Sequence, residues 1–148
     1  MRDSKVLRLL LLASGVVALA VSGGLLLDPV RFEAGAGVVL SADPSVLSEV
    51  RAPAGALLAA GVLVTIGAFV RSYTAAAAGV AITLLLSYGL ARVFGMVLDG
   101  VPSDALVAAT VVELGLGAAT LCAWWVARAG ESGVGAPVSA ALGRPAKT

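Results

Sequence analysis

Apolar residues run along this chain in four long blocks, with most charged residues crowded into the gaps between them. Leu9–Leu27, Ala52–Val70 and Ser72–Ala91 contain no Asp, Glu, Lys, Arg or His, and Ala105–Ala127 contains Glu113 alone. A hydrocarbon core about 30 Å thick takes roughly 20 helical residues at about 1.5 Å each. Each block is therefore long enough for one crossing. The pattern predicts an all-α integral membrane four-helix bundle, running up-down-up-down, inside one domain of residues 1–128. Its spans are expected at about 9–27, 50–70, 73–98 and 104–127.

The gaps carry signals that end and start helices. Met1–Arg8 is a basic head. Asp28-Pro29 stops the first span, because proline disfavours helix in the residue before it. Val30–Asp43, with Gly35 and Gly37, reads as a loop. Asp43-Pro44 reads as an N-cap followed by proline at the first helical position. The helix opened there runs through Glu49 and Arg51 into the second span. Pro53 lies inside it and predicts a kink near the membrane surface. Arg71–Thr74 is short enough to make spans two and three a tight hairpin, and Asp99–Asp104 turns span three into span four. From Ala129 the chain is rich in Gly, Ala, Pro and Ser, lacks an apolar period, and reads as a disordered tail over 129–148.

A basic head, an apolar stretch and Ala18-Leu19-Ala20 also fit a cleavable signal peptide. The stretch continues to Leu27, longer than a usual signal core, so a retained first span is expected. With the first residues in the cytoplasm, that side carries Arg2, Lys5, Arg8, Arg71, Arg128, Arg144 and Lys147, against Arg31 and Arg51 opposite. This bias predicts both termini in the cytoplasm of a cell whose inner (plasma) membrane the protein crosses. Phe69, Tyr73, Trp124 and Trp125 fall at the same ends, as an interfacial aromatic belt does.

Composition narrows the chemistry. Charged residues make up 13% of the 148-residue chain and mean hydropathy is +1.03, whereas a soluble domain is about a quarter charged. A net charge of +1 leaves no nucleic-acid footprint. Cys122 is the only cysteine, so no intramolecular disulfide can form. Without histidine, the commonest general base and metal ligand is missing. No phosphate-binding glycine loop or nucleophile elbow appears either. The expectation is a protein without enzymatic activity, cofactor or metal. Eight Arg against two Lys, with abundant Ala, Gly and Val, suggest a GC-rich bacterial genome.

Two constellations remain. Ala75, Gly79, Thr83, Ser87, Ala91 and Gly95 recur every four residues in span three. Small side chains let helices approach closely in lipid, so the stripe predicts a face packed on a neighbour that the sequence does not identify. The second is a polar seam. Arg92 and Glu113 lie at similar depth on adjacent antiparallel spans, counted outward from Val101. Each is costly in lipid by roughly 2.5–3.5 kcal/mol, and pairing offsets part of that. Tyr88, Arg92, Gly95 and Asp99 share one face of span three; Thr110, Glu113, Gly117 and Thr120 share one face of span four. The seam is expected to open toward Glu49 and Arg51. It reads either as a pocket for a small polar head group or as a salt bridge that sets helix register.

In the Asp28-Pro29 end of span one, Glu49-Val50-Arg51-Ala52 with Gly55, Arg92 with Asp99-Gly100, and Glu113-Leu114, the chain resembles the domain-of-unknown-function 4345 family of small bacterial membrane proteins over about Leu9–Val126. Pro53 and Ala54 stand where that family carries bulkier, often aromatic residues. The resemblance implies a four-helix membrane protein and brings no activity, substrate or catalytic residue. Helix count and size are also similar to small quinone-linked membrane proteins of the DoxX type, at the level of fold alone. The leading functional expectation is an accessory or interaction subunit, self-associated or bound to another membrane protein within the bilayer. The alternative is a binder or carrier of a small lipophile, a lipid or quinone, through the seam between spans three and four.

Overall fold

The computed structural model describes residues 5–132. Helix α1 spans Lys5–Leu27, α2 Pro29–Gly35, α3 Pro44–Phe69, α4 Thr74–Asp99 and α5 Asp104–Ser132, with a 3-10 turn at Arg71–Tyr73. Among the described residues, α1, α3, α4 (with the preceding turn) and α5 are each long and apolar enough to cross a membrane. The chain is thus a four-span, multi-pass membrane protein.

Two expectations about boundaries are corrected. Val30–Asp43 is not all loop, because α2 occupies Pro29–Gly35. Asp28 accepts from the Arg31 amide at 3.1 Å, and Pro29 takes the first helical position. Asp28-Pro29 therefore ends one helix and caps the next, as Asp43-Pro44 caps α3 through the amides of Ser45 and Val46. Helix α5 continues to Ser132, through the first residues of the tail expected over 129–148; the rest of that stretch lies outside the described residues. Helix α3 passes through Pro53 without a break.

Consecutive spans are antiparallel. The start of α3 meets the end of α1, where Arg51 Nε donates to the Leu26 carbonyl at 3.1 Å. Further along, Gly61 packs beside Ala18 and Leu19, and Gly15 beside Thr65. In the α3–α4 hairpin the Thr74 hydroxyl donates to the Gly67 carbonyl at 2.9 Å. Gly89 lies against Leu114, and Gly117 against Leu86, between α4 and α5. The start of α1 and the end of α5 thus share one side with the α3–α4 hairpin, as the up-down-up-down reading requires. On the opposite side the Ser103 hydroxyl donates to the Ala36 carbonyl and ties the two remaining connections together.

Buried residues follow helical periodicity: Leu7, Leu11, Ser14, Ala18 and Ser22 in α1, and Ala54, Leu57, Gly61, Val64 and Ala68 in α3. The hydroxyls of Ser14, Thr65, Thr110 and Thr120 donate to carbonyls four residues back in their own helices. That satisfies polar groups where no water reaches. The opposite faces carry exposed Leu9, Leu90, Val97, Val111 and Val126, a surface suited to acyl chains.

The two halves of the bundle differ. Leu7, Leu11, Val64, Ala68, Ala77, Ala78, Ala81 and Ala127 form the close-packed core in the half that holds the hairpin. None of them lines the cavity in the other half.

Candidate functional site

The cavity has a volume of about 460 Å³ and is walled by α1, α2, α3, α4 and α5. Its deeper walls are Val17, Ala18 and Val21 of α1, Leu57 of α3, and Leu84 and Leu85 of α4. Small side chains make room: Ala54 is 1% exposed and, with Pro53, lines the space. Toward the loops the lining turns polar, with Glu33 of α2, Glu49 of α3, Tyr88 and Arg92 of α4 and Glu113 of α5.

Arg92 and Glu113 pair as their register requires. Arg92 Nε stands 3.2 Å from Glu113 Oε2 and 3.4 Å from Oε1. The two side chains are 34% and 16% exposed, so the bridge forms part of the cavity wall and stays reachable from it. Its place follows from helix geometry: Arg92 lies about 12 Å before Gly100, and Glu113 about 13 Å beyond Asp104, at about 1.5 Å per residue.

Of the six residues expected in the seam, Glu49, Tyr88, Arg92 and Glu113 are brought together in the cavity wall. Arg51 and Asp99 are not. Arg51 is turned to the Leu26 carbonyl and lines a separate shallow surface with Pro44, Leu47, Ser48 and Ala52. Asp99 is exposed at the last turn of α4. Glu33, Phe32 and Ala36 escaped the sequence reading because their segment looked like loop. Phe32 packs over Gly24, where a Cβ would overlap its ring, and so closes α2 over the end of α1. The Asp28-Pro29 cap was the signal that could have found them.

The small-residue stripe is not the face that packs within the chain. The buried positions of α4 are Thr74, Ala77, Ala78, Ala81, Leu85 and Gly89. Ala75, Gly79 and Gly95 are half-buried, while Thr83, Ser87 and Ala91 are exposed. A Cβ built on Gly79 or Gly95 would meet nothing within 4 Å. The close approaches lie elsewhere, at Gly15, Gly67, Gly89 and Gly117. The glycines of the stripe therefore make no close helix–helix approach within the chain.

At the hairpin side Phe69, Tyr73 and Trp125 are exposed. Arg128 lies 3.9 Å over the Trp124 ring, a cation–π contact of the kind that suits a membrane interface.

A family model described as "Domain of unknown function (DUF4345)" matches residues 6–126. The match covers most of the chain, including every residue of the cavity wall, and the chain belongs to that family. No curated protein and no solved structure matches the chain.

Proposed function

We propose that this member of the DUF4345 family binds a small amphipathic lipophile in the cavity between its spans, without catalysis of its own. The supporting observation is the cavity's division into an apolar floor and a polar end inside a membrane-spanning bundle. Its volume lies within the range of small-molecule sites. Water can serve the polar end, but an apolar floor holds water poorly, so an apolar group is the natural filling. The Lys and Arg bias supports a cytoplasmic-membrane location with both chain termini inside.

Native mass spectrometry of protein extracted gently from its membrane tests this reading. One lipophile should accompany each chain, and Ala109→Trp, which fills the cavity from α5, should expel it while the protein stays folded. An adduct pattern identical in wild type and variant would show that the cavity is not the site.

A second reading, an accessory subunit, is supported by the small-residue stripe on α4, whose Gly79 and Gly95 have open space beside them. The same spectra test it: a co-purifying membrane protein, lost on Gly79→Leu, supports docking at that face.

A further inference from the structure

The cavity's charge names the class of its occupant. Glu33, Glu49 and Glu113 contribute three carboxylates to its lining, and Arg92 is the only cation there. Arg92 is already engaged by Glu113, so that pair is neutral as a unit. Glu33 and Glu49 remain, and neither has a side-chain hydrogen bond or ion pair among the described residues. The nearby arginine of α3, Arg51, is held on the Leu26 carbonyl outside the cavity. The polar end therefore carries two carboxylates with no counter-ion in contact, Glu33 half-buried and Glu49 exposed at the mouth, above a hydrocarbon floor.

We infer that the occupant is a cationic amphiphile, a lipophilic amine or quaternary ammonium, with its tail on the Leu57 and Leu84 floor and its head between Glu33 and Glu49. This rests on the lipophile reading above and narrows it. Two unpaired carboxylates flanking a low-dielectric space attract a cation and repel an anionic head group. A neutral hydroxyl head can donate a hydrogen bond to a carboxylate but gains no net Coulomb attraction. A bare metal ion is a poorer occupant. No group of three acidic, His or Cys side chains among the described residues converges to hold one, and a metal would leave the apolar floor empty.

Three probes with one tail separate the possibilities: decyltrimethylammonium, decanol and decyl sulfate. Each is titrated below its micellar or solubility limit into the full chain held in phosphatidylcholine nanodiscs, with empty nanodiscs as the partitioning blank. The cation should bind about ten-fold or more tighter than the anion, a difference within reach of two nearby carboxylates. In Glu33→Gln/Glu49→Gln that preference should fall by about ten-fold, with decanol binding unchanged. Unchanged decanol binding also shows that the double variant keeps its cavity. Equal affinity for cation and anion, or a preference that survives the double substitution, overturns the cationic assignment and leaves the lipophile reading standing. Failure of all three to bind above the blank overturns both.

Discussion

Arg92 and Glu113, 21 residues apart in sequence, meet across the α4–α5 interface with the guanidinium Nε 3.2 Å from the nearer carboxylate oxygen. A turn of equal reach on both sides brings them level. One face of the bridge lines the cavity and the other joins two helices, so it can act in register and in binding at once.

Removing one partner should cost more than removing both. Arg92→Leu or Glu113→Leu leaves a charge without its counterion, at about 2 kcal/mol. This is below the 3–5 kcal/mol of a fully buried pair, because the arginine can reach water. The double variant should regain much of that loss. Unfolding titrations in mixed micelles measure all three; additive single losses would mean that the residues do not interact.

Packing variants should discriminate between two sets of glycines. A Cβ at Gly67 would overlap that of Ala77, and one at Gly89 would stand 2.6 Å from Leu114 Cδ2. Gly67→Ala and Gly89→Val should each destabilise by about 1–3 kcal/mol through overpacking. Gly79→Leu and Gly95→Leu face open space and should leave the isolated chain near wild type. Comparable losses in the two sets would contradict the assigned packing face.

Topology is checked from the loops. Fusions after Leu40 should be active with a periplasmic reporter, and fusions at Ser72 with a cytoplasmic one, as the Lys and Arg bias requires. The opposite pattern would invert the bundle.

The cap of α3 should be sensitive to acid. Amide donation from Ser45 and Val46 holds the Asp43 carboxyl below its ordinary value. A lowered folded-state pKa means the cap's contribution is fully present above the unfolded value and is lost as pH falls through the folded one. Hydrogen exchange at the Ser45 and Val46 amides should therefore show protection that fades only in that acidic window. Asp43→Asn, which still accepts a hydrogen bond, should show no such pH dependence; a wild-type profile as flat as that of Asp43→Asn would remove the carboxylate from the cap.

The number of spans and their alternation were legible in the residue order, because desolvating a charge or a free peptide group in hydrocarbon is costly enough to force long uncharged helices. The Arg92–Glu113 pairing was legible too, since a short turn leaves little freedom of register. Which side of each helix faces its neighbours was not. In lipid, apolar residues suit both the interior and the exterior, so hydrophobicity does not mark the buried face. The six-residue stripe of α4 therefore looked like a packing face, while Gly67 against Ala77 and Gly89 against Leu114 do that packing within the chain. The cavity likewise belongs to the tertiary structure. It exists because α2, raised on the Asp28 cap, brings Glu33 to the space that Ala54 and Pro53 leave open opposite Glu113. No local pattern encodes the placing of residues 33, 49 and 113 along the walls of one space.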